Sequence, residues 1–341
     1  MKIAVVASPV TPLRPAQLGG AQAFVCDLAA GLATRGHDVT LHCSEGSEVD
    51  GVRLATVPAP RDATAALVMP GGADPPPAPG VAAALQAMFE SIPGNVDAIS
   101  QHAFDAPAFT LARGRPALHT LHLPPIVGSV VAAARSTPRR QLAAVSEASA
   151  QSWAAAGVEV AEVLPNGVPD EDVAGTSVER AALVAGRISP EKGIDAAIAA
   201  CRSIGMRVRI AGAHYDPSYA PDLGDAELLG SLPRRQLRRV MAASAVTICA
   251  VRWDEPFGMV AAEAQMAGCP VAAYRRGAMS EVIEDGISGR LADPDDVAAL
   301  ARAIATCLML DRDSVRASAQ RRLGLDAALD RYESALARVA R

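Results

Sequence analysis

The sequence predicts an α/β chain of two doubly wound domains, each a parallel sheet with helices on its faces. Three observations carry this. The chain has 341 residues, too many for one ordinary core and suited to two domains of about 150 to 170 residues. Short apolar runs alternate with helix-periodic segments along both halves, the pattern of strand–helix–strand units. Half of the residues are hydrophobic but only 3% are aromatic, so both cores must be built from Ala, Val, Leu and Ile.

The elements follow in order. Residues 2–7 read as an apolar first strand, which suits the Met1-Lys2-Ile3 start better than a signal peptide does. Leu18-Gly19-Gly20 opens a helix through about Arg35, Gly36 punctuates it, and Val39 to Cys43 is the next strand. Residues 58–80, rich in Pro, Ala and Gly, read as a surface loop. Strand-like runs return at 96–100, 117–121 and 142–145. After Pro165-Asn166-Gly167 a second series begins. It has strands at 181–185, 208–211, 246–249 and 270–274, a helix from Lys192-Gly193 to about 203, and another over 257–268. Residues 312–341 are helical in pattern. The expected division is 1–165, 166–325 and a final helix over 326–341.

Composition narrows the function. A formal net charge of −5 argues against a general nucleic-acid binder. No run approaches the roughly 18 apolar residues of a membrane span, so membrane association is not expected. Cys26, Cys43, Cys201, Cys249, Cys269 and Cys307 are scattered without a C-x-x-C pair. They read as small buried hydrophobes in a reducing, cytoplasmic setting rather than as metal ligands or disulfides. Lys2 and Lys192 are the only lysines beside thirty arginines, so Lys192 stands out.

The stretch Glu255-Pro256-Phe257-Gly258-Met259-Val260-Ala261-Ala262-Glu263 carries the strongest chemical signal. Pro and Gly mark a turn, and the helix after it presents free backbone N–H groups, a natural diphosphate site. Eight helical positions span about 12 Å, a separation that suits the two ends of one extended ligand. The apolar run before Glu263 implies burial, which requires a partner for the carboxylate. Gly186-Arg187-Ile188-Ser189-Pro190-Glu191-Lys192-Gly193 follows a strand and opens a helix. Two cations there suit a departing pyrophosphate: Arg grips two oxygens and Lys acts as a point charge. Gly19-Gly20 after the first strand would allow close backbone approach to a phosphate or sugar, or simply a turn. It is not the dinucleotide fingerprint G-x-G-x-x-G.

His122 and His102 each follow a strand, at the carboxyl edge where open α/β sheets bind ligands. For His122 a packed role and a role at the site stand level; for His102 the packed role leads. His37, His42 and His119 read as structural. Asp293-Pro294-Asp295 reads as a helix cap, and Asp170-Glu171-Asp172 lies in the interdomain turn; neither is assigned to a metal. Arg234, Arg235, Arg238 and Arg239 share a helix face that reads as solvated.

Taken together these residues resemble the retaining nucleotide-sugar glycosyltransferases of family 4, which have the GT-B fold. The motifs that carry the resemblance are the E-x7-E stretch with Ala264 and Ala267-Gly268-Cys269-Pro270-Val271, the Gly186-Arg187 to Lys192-Gly193 stretch, and Leu164-Pro165-Asn166-Gly167-Val168. Ala144-Val145-Ser146 and Ser280-Glu281-Val282-Ile283, with Asp285-Gly286 and Gly289, match as well. Where that family often has paired glycines before Ser280-Glu281, this chain has Arg275-Arg276-Gly277-Ala278. The resemblance implies two Rossmann-like domains facing across a cleft, with the final helix returning toward the first. It implies that Glu263 holds the nucleotide ribose. Glu255 would contact the donor sugar beside the backbone of Phe257, Gly258, Met259 and Val260, and Arg187 and Lys192 would bind the diphosphate. Gly19 and Gly20 would contribute from the first domain, His122 would lie by the sugar, and no metal would be needed. The Ala- and Arg-rich composition and compact length resemble actinobacterial antibiotic-tailoring enzymes of the avilamycin type.

The expected function is therefore retaining transfer of a sugar from a nucleoside diphosphate, UDP by the family's habit, to a hydroxyl-bearing acceptor. Arg187, Lys192, Glu255 and His122 are the expected catalytic set. The alternatives are a nucleotide-sugar epimerase and a non-catalytic nucleotide-sugar-binding module. The acceptor, the donor sugar and the oligomeric state are left open by the sequence.

Overall fold

The computed structural model describes residues 1–14, 19–63, 78–171, 173, 177–214 and 219–340. Most of the Pro-rich stretch expected as a loop, and Asp172, lie outside the described residues. By its contacts the chain divides into two units, one of residues 1–15, 21–167 and 325–341, the other of 16–20 and 168–324. Each is an α/β domain built on a parallel sheet.

In the first unit the strands are β1 (Lys2–Val6), β2 (Asp38–Ser44), β3 (Arg53–Val57), β4 (Ala98–Gln101), β5 (Ala117–Leu121), β6 (Leu142–Ala144) and β7 (Glu162–Val163). They form one sheet in the order β3-β2-β1-β4-β5-β6-β7. Every ladder in it is parallel. The crossovers are α1 (Gly20–Thr34), α2 (Pro79–Ser91), α3 (Ala106–Leu111), α4 (Gly128–Arg135) and α5 (Glu147–Ala155). Central strands covered on both faces are rich in apolar residues, and β4 and β5 are buried at every position, Ser100, Gln101, His119 and Thr120 included. α1 buries Phe24, Val25, Leu28 and Leu32 and ends before Gly36, whose φ of 87° is the left-handed conformation that closes helices. Ser146 caps α5 by accepting from the Ser149 N–H at 2.9 Å.

The second unit has β8 (Glu179–Ala185), β9 (Arg207–Ala211), β10 (Glu227–Gly230), β11 (Ser244–Cys249), β12 (Val271–Tyr274) and β13 (Gly289–Ala292). Their order is β10-β9-β8-β11-β12-β13, again all parallel. Its helices are α6 (Ile194–Ser203), α7 (Arg234–Ala243), α8 (Met259–Met266), α9 (Met279–Val282), α10 (Val297–Cys307) and α11 (Arg312–Leu323). Ile194, Ile198, Ile210, Ile248, Leu300 and Ile304 lie in one buried cluster.

One local expectation is refined and one is corrected. The helical stretch 312–341 is two helices: Gly324 is extended, with ψ of 143°, and α12 (Leu325–Val339) belongs to the first unit. There α12 buries Leu329, Tyr332 and Leu336, and Arg35 donates to Asp326, Asp330 and Glu333 along its face. The cap of α10 is Asp296, which accepts from Ala299 N–H, while Asp295 sits at φ 62° and pairs with Arg276. Among the described residues no helix is long and apolar enough to cross a membrane.

Candidate active site

The site in the second unit forms where the loops after β8, β11 and β12 meet. Beyond β8 the chain turns at Gly186, whose φ is 124°. A Cβ on Gly212 would lie 1.8 Å from the Gly186 carbonyl oxygen, so the two loops pass at backbone contact. Residues 190–192 make a tight 3-10 turn, and Gly193 follows at φ 61°. A Cβ on Gly193 would stand 1.9 Å from the Ala250 carbonyl oxygen. The Arg252 N–H also donates to the Glu191 carbonyl at 2.9 Å. These contacts hold Lys192 over the loop that carries Glu255.

Lys192 Nζ donates to Glu255 Oε2 at 2.9 Å. The same oxygen accepts the Trp253 indole N–H at 2.8 Å. Lys192 Nζ lies 5.3 Å from the centroid of the Trp253 ring, within reach of its negative face. The Glu255 backbone is fixed as well: its carbonyl accepts from Ala278 N–H at 2.9 Å. A Cβ on Gly277 would come within 2.5 Å of Glu255 N and O, so a glycine is required there. Arg187 takes a different partner, Glu191, at 3.2 Å. Glu191 is buried and accepts from Ser189 Oγ at 2.7 Å as well.

Gly258, at φ 99°, brings the chain into α8. No side chain caps this helix, and its ladder begins with Ala262 N–H donating to Gly258 O. The N–H groups of Met259 to Ala261 therefore stand outside the ladder, beside the Glu255 loop. Because α8 starts at Met259, Glu255 is in the loop, and a helical ruler does not measure its distance from Glu263. Glu263 is buried as its apolar neighbours require. Its partners are Arg234 Nε at 2.6 Å and Arg238 at 3.7 Å, both on α7. This corrects the solvated-face reading of that arginine row. Arg238 is only 3% exposed and also pairs with Glu171 at 2.9 Å, while Arg235 and Arg239 are exposed.

In the first unit, His102 Nδ1 and His122 Nε2 lie 2.8 Å apart, and Ser100 Oγ lies 2.8 Å from His102 Nε2. Burial pushes His122 down to about 4 and, with its histidine neighbours, His102 well below the ordinary range. Both rings are therefore neutral at pH 7. His119 stacks on Phe109 with centroids 4.7 Å apart, and His42 pairs with Ser91. Gly19 precedes α1 and Gly20 opens it.

The sequence points to Lys192 and Glu255 separately, and the structure joins them as one ion pair. Trp253 and Glu191 do not emerge from the sequence as site residues. The Arg187–Glu191 pair forms across a non-helical turn, where a four-residue spacing carries no signal, and the Trp253 contact depends on a side-chain rotamer that no spacing shows.

Residues 18–172 match glycosyltransferase family 4, and residues 175–322 match the glycosyl transferases group 1 family. Both halves of the chain are glycosyltransferase domains. The chain's similarity to D-inositol 3-phosphate glycosyltransferase of Mycolicibacterium smegmatis is 36% identity over 151 residues, 40% of this chain and 34% of that one. For the Corynebacterium efficiens protein of that name it is 35% over 159 residues, 42% and 36% of the two chains. The chain thus spans about a third of the length of these curated relatives. Among solved structures, AviGT4, a glycosyltransferase involved in avilamycin A biosynthesis, superposes with a TM-score of 0.73 at 21% identity, over 99% of this chain and 98% of that one. Anabaena HepE in complex with UDP-glucose gives 0.74 at 20%, over 99% and 100%. At these identities the likeness establishes the fold of the glycosyltransferase domains, which is GT-B.

Proposed function

We propose that this chain is a retaining glycosyltransferase that moves a sugar from a UDP-linked donor to a hydroxyl of a small-molecule or glycan acceptor. The observation that carries the reading is the Lys192–Glu255 pair at the uncapped start of α8. It sets a cation, a carboxylate and free N–H groups side by side, a match for a diphosphate joined to a polyol. The complex of HepE with UDP-glucose supports UDP as the carrier. AviGT4's part in avilamycin A biosynthesis supports a tailoring role in antibiotic synthesis.

In this reading Lys192, Arg187 and the N–H groups of Met259 and Val260 bind the diphosphate. Glu255 accepts from a sugar hydroxyl, and Glu263, held by Arg234, accepts from the ribose diol. The anomeric C–O bond breaks and its electrons leave with the UDP oxygen. The acceptor oxygen bonds to the anomeric carbon on the face the diphosphate left, and its proton passes to the departing phosphate oxygen. The roles of His122 at the sugar and of Gly19-Gly20 at the diphosphate rest on the family resemblance alone.

Calorimetric titration with UDP, GDP, dTDP and NAD, repeated on Lys192→Ala, tests the site. One nucleoside diphosphate is expected to bind, with most of its affinity lost in the variant. Binding of none, or of NAD alone, would remove the transferase reading. An anomeric proton coupling in the product that matches the donor's would establish retention.

A further inference from the structure

We propose that Trp253 is a positioning residue for the donor sugar: its indole N–H fixes the Glu255 carboxylate so that Oε1 faces a sugar hydroxyl. This rests on the nucleotide-sugar reading above and deepens it.

Glu255 Oε2 is already committed, to Lys192 at 2.9 Å and to Trp253 at 2.8 Å. Among the described residues no donor reaches Oε1. The backbone of Glu255 is pinned by Ala278 and approached closely by Gly277, so the turn of its carboxylate is set by the side-chain contacts. Its side chain is 15% exposed and that of Lys192 20%, so the pair is sheltered without being sealed.

An ammonium alone does not orient a carboxylate, because it is a compact point charge on a flexible stem. It is satisfied by either oxygen or by both. The indole is different. It has a single N–H on a rigid ring, and a hydrogen bond to an ionised oxygen is short and directional. Trp253 therefore selects Oε2, and Lys192, lying against the ring face, shares that oxygen. Oε1 is left as an acceptor with both lone pairs open. Without the indole N–H the carboxylate can turn and offer both oxygens to Lys192, which withdraws the acceptor from the sugar. The Trp253 ring and the Lys192 charge serve the diphosphate end, whereas the N–H serves the sugar end. The two functions of one side chain are separable by substitution.

Trp253→Phe keeps an aromatic face for Lys192 and removes only the donor. Calorimetry with UDP and with a panel of UDP-glucose, UDP-galactose and UDP-N-acetylglucosamine, together with kcat and KM for turnover of whichever sugar nucleotide is used, reads the difference. UDP affinity should stay within about twofold of the parent. The additional affinity for the sugar nucleotide and its kcat should fall about tenfold or more, the size of one charge-assisted bond. In a Glu255→Gln background the same change should have no further effect of that kind. If Trp253→Phe leaves both sugar-dependent quantities unchanged, or lowers UDP affinity, sugar-nucleotide affinity and Tm together, the positioning role is overturned. Failure of the parent protein to bind UDP would instead overturn the nucleotide-sugar reading itself.

Discussion

Arg234 Nε donates to Glu263 Oε1 at 2.6 Å, tying α7 to α8 through two side chains that are 17% and 8% exposed. Arg238, more deeply buried still, leans on the same carboxylate and on Glu171. Glu263→Ala would strip the arginines of a shared counter-charge without replacing it. Breaking a buried pair from one side costs about 3–5 kcal/mol, so a loss of that size is expected in urea unfolding. Glu263→Gln keeps an acceptor and should lose less than half as much.

Gly193 and Gly36 offer a comparison of space with conformation. Both have positive φ, 61° and 87°. Around Gly36 nothing lies within 4 Å of the place a methyl group would take, whereas at Gly193 the Ala250 carbonyl is 1.9 Å away. Gly36→Ala should cost about 1–2 kcal/mol, the left-handed conformation alone. Gly193→Ala must also push the loops apart, and should cost more than about 3 kcal/mol and weaken nucleotide binding. Urea midpoints and UDP titration check both.

Burial pushes His42, His119 and His122 from 6.5 down to about 4. The unfolded chain then takes up protons that the folded chain refuses between those values. Stability is complete above pH 6.5 and falls as pH drops toward 4. His119, stacked on Phe109 with a buried Nδ1 that no donor or acceptor meets among the described residues, accounts for about 3 kcal/mol of that loss. His119→Leu should flatten the acid limb of Tm against pH, and an unchanged slope would exclude this origin.

Tyr332 of α12 meets Thr120 Oγ1 of β5 at 3.1 Å, and both are buried. Tyr332→Phe leaves Thr120 without that partner and should destabilise by about 1 kcal/mol. The two tryptophans make the effect local to read. Trp153 belongs to the first unit and Trp253 to the second. The loss should appear in Trp153 emission, observed alone in a Trp253→Phe background.

The central strands are legible in the sequence because a strand buried on both faces is rich in apolar residues: residues 3–6 of β1 and 181–185 of β8 are apolar runs, and in β5 Ala117, Leu118 and Leu121 flank His119 and Thr120. The edge strand β3, mostly half-exposed, has no such run and does not stand out from its surroundings. The pairing of Glu263 is legible in outline: an acidic residue among Met, Val and Ala has to find a cation. Which cation is not, because α7 is so polar overall that its buried Arg238 looks like the rest of its row. Trp253 and the His102–His122 contact depend on how side chains turn once loops from separate strands meet. One-dimensional spacing does not encode that.

The return of α12 to the first unit has a consequence for biosynthesis. Synthesis runs from the amino end, so the ribosome has released residues 21–167 long before Tyr332 and Leu336 exist to complete their core. The second unit, apart from residues 16–20, is one continuous stretch and is fully translated by Gly324. Vectorial synthesis normally lets the leading domain mature first. Here the second unit has all its residues first, and the first one waits, unfinished, until α12 has been made.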